Sequence, residues 1–390
     1  SAIGQAVSTI LVPLFAHDRG PEFTALSCAI GLAAVIPGSW LGTWWVRHLT
    51  SKSAYIWSNV AMGVMFASLV AAAQWLGGIG DAHLLAFSAA GGVQYGMLRG
   101  VPEQDITVRT IGQEDEGLLK RAGALYYVVV APVYMGASML VGSLLNVLGR
   151  GAFSVIGAAA MIASAIPFLL IRYRPERAEG GEAGQAEALA ERLPVILYLP
   201  YLFFWSVHYG FYYQLSPFFS LELFHDGALG GRFVAFYALG NLVYALLNAF
   251  APGLLERIPL RARGWTALGV AATAAFLWTT LAVGSPLLSQ ATVFLFGLGV
   301  AAGLVQWKAF LQKRLSRPAI ARVFNKLNIV TIVLNLLPLL MLYGAGFFLP
   351  GVSIPVLLGV VAAFATAAGV LLVLALSRGG TSFDPPSGKQ

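Results

Sequence analysis

The chain has 390 residues, of which 58% are apolar and 11% are charged, and its mean hydropathy is +0.76. Soluble domains are close to half apolar and about a quarter charged, so this composition excludes an ordinary soluble protein. The apolar residues form unbroken blocks of about twenty residues, the length that a helix needs to cross a ~30 Å hydrocarbon core. They do not alternate with polar residues over segments of about ten, which excludes an outer-membrane barrel.

Charged or Gly/Pro-rich breaks divide the chain into twelve predicted membrane spans. Taken in chain order, their approximate limits are 1–16, 24–46, 54–76, 84–107, 118–143, 152–173, 194–220, 231–252, 264–284, 288–312, 323–347 and 352–377. The first span is short and begins abruptly at Ser1, so we expect that residues completing this helix precede it. It has neither the basic region nor the cleavage site of a signal peptide.

The basic residues predict how the chain is oriented in the membrane. Twelve spans place both termini on one side. Of the 24 Lys and Arg residues, only Arg19, Arg150 and Arg232 fall in one set of loops, and the remaining 21 lie by the other set and in the tail. Because cytoplasmic loops carry the excess of Lys and Arg, both termini are predicted to be cytoplasmic, in a multi-pass protein of the cytoplasmic (inner) membrane. The net charge of +7 is then a consequence of topology, and no nucleic-acid partner is expected.

The longest loop divides the spans into two sets of six. We predict an N-terminal bundle at 1–173, a solvated cytoplasmic linker at 174–193, a C-terminal bundle at 194–377 and a disordered cytoplasmic tail at 378–390. Prolines 13 and 132 recur at 217 and 338, offset by 204 and 206 residues, which indicates a diverged tandem duplication. The predicted fold is therefore an all-α integral membrane protein with twelve transmembrane helices in two pseudo-symmetric six-helix bundles.

The whole chain resembles the major facilitator superfamily of secondary transporters. The resemblance rests on the twelve spans, the cytoplasmic central loop and the basic loops after the second and eighth helices. The superfamily signature G-x-x-x-D-R-x-G-R-R is represented after the second helix by Gly42, Arg47 and Lys52, with Val46 in place of the Asp. In the second half, Glu256 and Arg257 keep the acid–base pair. The resemblance implies two bundles around a midplane cavity and alternating access by rocking.

A degraded form of the superfamily's antiporter motif lies in the fifth span, where the sequence reads Ala131-Pro132-Val133-Tyr134-Met135-Gly136. Small residues and prolines also allow helices to pack closely anywhere in a membrane. The motif is therefore compatible with export and with a purely structural role.

Polar side chains inside the spans indicate a solute path, because such groups are expensive in hydrocarbon unless they are paired or hydrated. The richest is the seventh span, in which Tyr201, Trp205, His208 and Tyr212 share one helical face. The alternative interpretation is an aromatic packing face around a hydrogen-bonded histidine. The predicted cavity residues are Gln5, Gln94, Tyr95, Tyr201, Trp205, His208, Tyr212, Asn241 and Asn328.

The charged groups in or near the spans predict proton coupling and a gate. His208 lies near the middle of the membrane and has an ordinary pKa that a proton gradient can use. Arg99 and Glu103 are four residues apart and form either a relay or a structural pair. The predicted proton-coupling residues are His208, Arg99, Glu103 and Glu222, and by resemblance the cytoplasmic gate consists of Arg47, Asp105, Arg109, Glu256 and Arg257.

The sequence thus predicts a secondary transporter of a small organic solute, amphiphilic or aromatic, with export in exchange for protons as the favoured mode. The expected partners are this solute, the coupling proton and the lipid bilayer, and we expect a monomer. Three alternatives stay open: an importer, a carrier of a transition metal or chelate using His208, Cys28, Met135 and Met139 as ligands, and a non-transporting assembly factor or sensor. No residue cluster has the spacing of an enzyme active site or metal centre, so no catalytic residue and no cofactor is predicted.

Overall fold

The computed structural model describes residues 12–13, 15–75, 78–99, 116–166, 169, 194–256, 262–315, 317–348 and 352–378. Within these ranges the ordered backbone is helical and contains no strand. Eight of the described helices are long and apolar enough to cross a membrane. The predicted first span lies mostly outside the described residues, and the predicted linker and tail lie outside them apart from Arg378, the last residue of the final helix.

In the part of the N-terminal half that the structure describes, three helices follow predicted spans and a fourth covers parts of two of them. They are α1 (Pro21–His48), α2 (Ser51–Trp75), α3 (Asp81–Arg99) and α4 (Glu116–Ala163). Helix α1 begins with a proline at its first position, where the missing N–H costs no helical hydrogen bond. The residue before it, Gly20, has a φ of 102°, which favours glycine and turns the chain into the helix.

Helix α4 differs from the prediction. The sequence predicts two spans, 118–143 and 152–173, joined by a loop at Arg150, whereas the backbone is helical without interruption over 48 residues. Its N-terminal part packs against the C-terminal half, and its C-terminal part packs against α2, where Phe66 contacts Gly157. The loop predicted at Arg150, between the spans that end at 143 and begin at 152, is therefore wrong at the level of the backbone.

The predicted seventh span, 194–220, is a composite helix. After a 3₁₀ turn at Val195–Leu197, α5 (Leu199–Gly210) continues into a π-helical turn at Phe211–Leu215, a short α segment at Ser216–Phe218 and a second π turn at Phe219–Leu223. Pro217, within this composite helix, has no backbone N–H group to donate a hydrogen bond. The wider π turns on both sides keep the helix continuous past the proline, and such turns are frequent at functional sites.

The rest of the C-terminal half follows the predicted eighth to twelfth spans. Asp226 caps its first helix by accepting a hydrogen bond from the Ala228 amide at 2.9 Å, and Ser285 caps a later one. The helices are α6 (Gly227–Phe250), α7 (Pro252–Glu256), α8 (Ala262–Val283), α9 (Pro286–Arg314), α10 (Arg317–Phe348) and α11 (Ile354–Arg378).

The two halves repeat the same packing pairs. Helix α1 lies along α3 in the first half, as α6 lies along α9 in the second, and α2 pairs with α4 as α8 pairs with α11. Glycines allow the closest approaches: a Cβ on Gly92 would lie 1.9 Å from the Gly31 carbonyl oxygen, and one on Gly297 would lie 2.2 Å from the Tyr237 carbonyl oxygen. The halves meet where α4 contacts α6 and where α1 contacts α10. This arrangement is two pseudo-symmetric helical bundles.

Candidate functional site

A cavity lies between the two halves. It holds about 1180 Å³ of empty space, counting the part that is open to solvent. Its N-terminal wall consists of residues from 12–13 and α1 to α4, and its C-terminal wall consists of residues from α5, the first π turn and α6. The ring-bearing side chains in the lining are Phe87, Tyr95, Tyr126, Tyr127, Tyr134, Trp205, His208, Tyr209 and Tyr212.

The rings of the two walls touch across the cavity. Tyr95 of α3 meets Tyr209 edge to face, with ring centroids 5.4 Å apart, and Tyr134 of α4 lies 6.0 Å from Tyr212. Such tilted and edge-on pairs are the arrangements that aromatic quadrupoles favour. The cavity is therefore a box of rings contributed by both halves.

The C-terminal wall contains a stack of rings along α5. Trp205 lies flat on His208, with a centroid distance of 5.2 Å and an interplanar angle of 4°. Tyr201 stacks on the other end of Trp205 at 6.0 Å, but it is buried against Phe324 and is not among the described lining residues. Of the four residues on the predicted face of the seventh span, Trp205, His208 and Tyr212 line the cavity. Tyr201 packs behind them.

His208 forms a hydrogen bond with a tyrosine of the neighbouring helix, near a second polar side chain of the cavity. Its Nδ1 lies 2.6 Å from the Tyr237 hydroxyl on α6. Asn241 lies one turn further along α6, and its side chain lines the cavity. Asn241 is only 4% exposed, yet its Oδ1 atom has no hydrogen-bond partner. A buried acceptor without a partner costs free energy, so this atom is one to which a ligand could bind.

Asn328 has a different place from the one predicted. It is not among the described lining residues; it lies beneath the ring stack, where its Oδ1 accepts hydrogen bonds from Trp205 Nε1 at 3.1 Å and from the Tyr209 hydroxyl at 2.9 Å. Its Nδ2 donates to the Ser39 hydroxyl of α1 at 3.3 Å. One buried amide therefore ties two cavity rings to the other half of the molecule.

The polar side chains of the N-terminal wall bond to their neighbours. Gln94 lines the cavity as predicted, and its Nε2 donates to Asn59 Oδ1 at 2.9 Å. The hydroxyls of Ser27 and Ser88 share a hydrogen bond of 2.7 Å. These bonds hold α1, α2 and α3 together at the level of the cavity.

Glu222 lies apart from the cavity lining, at the end of the second π turn. Its Oε1 is 3.4 Å from Nδ1 of His17, so this ion pair also joins the two halves. Burial raises the pKa of the Glu222 carboxyl above its ordinary value, although His17 and His225 act in the opposite direction, and Glu22 adds to the rise. The carboxyl thus holds a proton more readily than an exposed glutamate does.

None of the five predicted gate side chains can be compared with the structure, and neither can some of the other predicted site residues. Gln5, Glu103, Asp105, Arg109 and Arg257 lie outside the described residues. Arg47, Arg99 and Glu256 lie on α1, α3 and α7, but their side chains are outside what the structure describes. The gate and the Arg99–Glu103 pair therefore stay predictions.

The proposed soft metal ligands do not come together. Cys28 and His208 line the cavity, whereas Met139 is half exposed on the outside of α4. Among the described residues, no three His, Cys, Asp or Glu side chains are close enough to hold a metal ion.

The sequence interpretation did not select several residues of the cavity region. Tyr126 and Tyr127 lie in the fifth span, for which the small-residue motif is the only basis of the sequence prediction. Tyr237 is not in the lining itself but lies one helical turn before Asn241, a spacing that could have revealed it.

No protein-family model and no curated protein sequence matches the chain. Solved structures do match it over nearly the whole length. A crystal structure of the nucleoside transporter NupG has a TM-score of 0.62 and 12% identity, covering 97% of this chain and 98% of the other. The POT family transporter PepTSo has a TM-score of 0.65 and 14% identity, covering 96% and 97%. The human organic anion transporter MFSD10 (TETRAN) has a TM-score of 0.55 and 16% identity, covering 96% of each chain.

These likenesses identify the fold. The chain is a multi-pass membrane protein with the fold of the major facilitator superfamily, in agreement with the two bundles predicted from the sequence. At this level of identity the likeness extends to the fold alone, so the function has to be argued from the cavity.

Proposed function

We propose that this protein is a secondary transporter that moves a small amphiphilic or aromatic solute across the cytoplasmic membrane by alternating access. The observation that carries the proposal is the ring-lined cavity between the two bundles. A cavity at such an interface can open to either side when the bundles rock. Structures of the same fold include proteins named as transporters of nucleosides and of organic anions.

The lining supports the solute class. Aromatic side chains from both walls, among them Tyr95, Tyr134 and Trp205, offer flat faces for stacking. Few hydrogen-bonding side chains interrupt them in the described lining, and those of the N-terminal wall already bond to protein neighbours. This environment favours a flat organic molecule over a heavily hydroxylated one.

Proton exchange is the favoured energy source, with export as the direction. His208 belongs to the lining and stacks on Trp205, so its protonation state acts directly on a bound solute. Glu222 joins the halves at the end of the molecule that we propose to be external, since the Lys and Arg pattern places both termini in the cytoplasm. The predicted gate of Arg47, Asp105, Arg109, Glu256 and Arg257 then belongs to the cytoplasmic end.

The proposal is tested by flux in proteoliposomes. The purified protein is reconstituted, a pH gradient is imposed, and the flux of a panel of aromatic solutes (lipophilic cations, nucleosides and xanthines) is measured. We expect at least one solute to accumulate against its gradient on the acidic side. Trp205→Ala should reduce that flux at least tenfold because it removes the central ring of the stack.

Trp57→Ala is the matched control, since this tryptophan is exposed on the outside of α2. Its flux should equal that of the wild type. Equal flux in Trp205→Ala and wild type would contradict the assignment of the cavity. Flux that follows the solute gradient and ignores pH would contradict proton coupling, and no flux of any solute in the panel would favour the non-transporting alternative.

A further inference from the structure

Asn241 belongs to the C-terminal wall of the cavity and carries an acceptor that bonds to nothing in the part of the protein that the structure describes. The residue lies on α6 and is 4% exposed, and its Oδ1 atom has no hydrogen-bond partner. The large majority of buried polar side-chain atoms in proteins have a partner, because an unpaired one has lost its water without compensation. The position of this acceptor in a cavity lining indicates that a bound solute supplies the partner.

Other polar groups of the lining are already bound within the protein. Trp205 Nε1 and the Tyr209 hydroxyl both donate to Asn328, so the polar ends of these two rings are occupied. On the opposite wall, Gln94 Nε2 donates to the neighbouring helix α2. Among the buried side-chain nitrogen and oxygen atoms of the described lining, Asn241 Oδ1 is the one without a partner.

The surroundings of Asn241 fit the edge of a flat, uncharged ring. Ala238 lies three residues earlier on the same face of α6, and its methyl group takes little of the space beside the amide. The described lining contains no aspartate, glutamate, lysine or arginine. A charged solute would lose its water there without a fixed counter-ion of these types, which is expensive, whereas a neutral solute needs only a partner for its hydrogen-bonding group.

The acceptor of Asn241 is within reach of a bound solute. Its Oδ1 atom is covered in this conformation, although the side chain as a whole lines the cavity. The terminal torsion of an asparagine is broad, so a rotation of the amide brings the oxygen to the cavity surface at little cost. Rocking of the bundles would also separate α6 from α4, which pack against each other here.

We propose that Asn241 is a specificity-determining residue of the cavity. Its Oδ1 atom accepts a hydrogen bond from an N–H or O–H group on the edge of a flat, uncharged solute, and solutes without such a donor bind more weakly. The inference rests on the proposed transport function and deepens it, because it names the chemical class of the solute. The rings of the lining contact the faces of the solute, and the amide determines which edge is bound.

Pairs of flat solutes that differ by one N-methyl group are suitable probes. Theophylline and caffeine form one pair, and 2-quinolinone and 1-methyl-2-quinolinone form the other. The first member of each pair carries N–H where the second carries N–CH₃, and all four are essentially uncharged at neutral pH. Binding to the purified protein is measured by equilibrium dialysis, and the uptake by empty detergent micelles is subtracted.

For the wild type, we expect the N–H member of at least one pair to bind about three- to tenfold more tightly than its N-methyl partner, the value of one neutral hydrogen bond. Asn241→Leu keeps the approximate volume of the side chain and removes its hydrogen-bonding atoms. In this variant the preference for N–H should disappear, whereas a preference caused by the bulk of the methyl group alone would persist.

Asn248→Leu is the matched control. Asn248 lies on the same helix and is 5% exposed, but it is not among the described lining residues, and its Nδ2 donates to the Tyr244 hydroxyl. This variant should keep the wild-type preference for N–H.

Thermal unfolding without a solute distinguishes a binding amide from a structural one. Asn241→Leu removes an acceptor that is buried and unpaired, so its unfolding temperature should equal or exceed that of the wild type. Asn248→Leu removes a donor from the Tyr244 hydroxyl, and its unfolding temperature should fall. A fall in Asn241→Leu as large as that in Asn248→Leu would show that the amide of Asn241 bonds within the protein, which overturns the inference.

The binding data can overturn the inference in three further ways: both members of each pair bind the wild type equally, Asn241→Leu keeps the preference, or no member of either pair binds. Flux measurements separate this inference from the proposed function. If the preference for N–H depends on Asn241 but no solute is carried into proteoliposomes, the binding role of Asn241 stands and the transport proposal fails. If solutes are carried and the preference is absent, the transport proposal stands and the role of Asn241 fails.

Discussion

On the N-terminal wall of the cavity, the polar side chains bond to one another, whereas on the C-terminal wall one acceptor is left over. Ser27 bonds Ser88, and Gln94 bonds Asn59, so these groups fasten three helices together. Across the cavity, Asn241 Oδ1 is buried and has no hydrogen-bond partner. The first wall is built for rigidity, and the second keeps chemistry available for a ligand.

The largest effect is expected from a substitution at a glycine contact of the N-terminal half, which tests whether this wall is rigidly packed. In Gly92→Ala, the new methyl group would lie 1.9 Å from the Gly31 carbonyl oxygen, so α1 and α3 must move apart. We expect a loss of about 3 kcal/mol in the free energy of unfolding, the upper range for overpacked cores. It is measured as a fall in the thermal unfolding temperature of the purified protein in detergent.

Gly136→Ala is the control for that substitution, since its Cβ would meet nothing within 4 Å. Alanine should be neutral there, or more stable by about 0.5–1 kcal/mol through helix propensity. Equal losses in the two variants would refute the role of the close contact. The open space around Gly136 also means that this position of the degraded antiporter motif is not needed for close packing.

An effect of intermediate size is expected at Asn328, whose side chain connects the two halves. Asn328→Ala leaves Trp205 Nε1 and the Tyr209 hydroxyl without their acceptor and removes the bond to Ser39. We expect a loss of about 2 kcal/mol from the unpaired groups, and about 0.6 kcal/mol of coupling between Ser39 and Asn328 in a double-mutant cycle with Ser39→Ala. Strict additivity of the two substitutions would show that this hydrogen bond does not join the halves in solution.

The smallest effect is expected at the ion pair between His17 and Glu222. Because burial raises the pKa of Glu222 in the folded state, the folded protein holds a proton on this carboxyl more tightly than the unfolded chain does. Its contribution to stability is therefore complete below the ordinary glutamate pKa and is lost as the pH rises through the elevated one. Thermal unfolding of Glu222→Gln should lack this decline and should occur at a slightly higher temperature than that of the wild type near neutral pH.

Removal of the neighbouring charge of Glu22 gives a further test of the pH dependence of stability. Glu22 adds to the elevated pKa of Glu222, so Glu22→Gln should move the decline in stability to lower pH. Wild-type stability that instead increases over the same pH range, and does so only while Glu222 is present, would mean that attraction to His17 outweighs burial.

The fold could be predicted from the sequence because each apolar block carries its own length and flanking charges. The exception is α4, where the sequence predicts a loop at Arg150 and the backbone stays helical. Local residue types can mark a place where a chain is able to turn, but tertiary packing on both sides decides whether the helix is interrupted.

The site could be predicted only as far as helical periodicity reaches. A spacing of three or four residues placed Trp205, His208 and Tyr212 on one face, and all three line the cavity. The hydrogen-bond partners of Asn328 lie 119 and 123 residues away along the chain, and the partner of Tyr237 lies 29 residues away. A local sequence pattern contains no information on contacts at such separations. Polar residues on several spans predict a solute path through the protein. Which of these residues bond to one another can be seen only once the helices are packed.

Cys28 has a practical consequence that follows from its position. It is the single cysteine of the chain, it lines the cavity, and it is buried in this conformation. A maleimide can react with it only while the cavity is open to the side from which the reagent is added. The unmodified protein therefore contains its own reporter of opening, and labelling rates from the two membrane faces show from which side the cavity is accessible without any engineered residue.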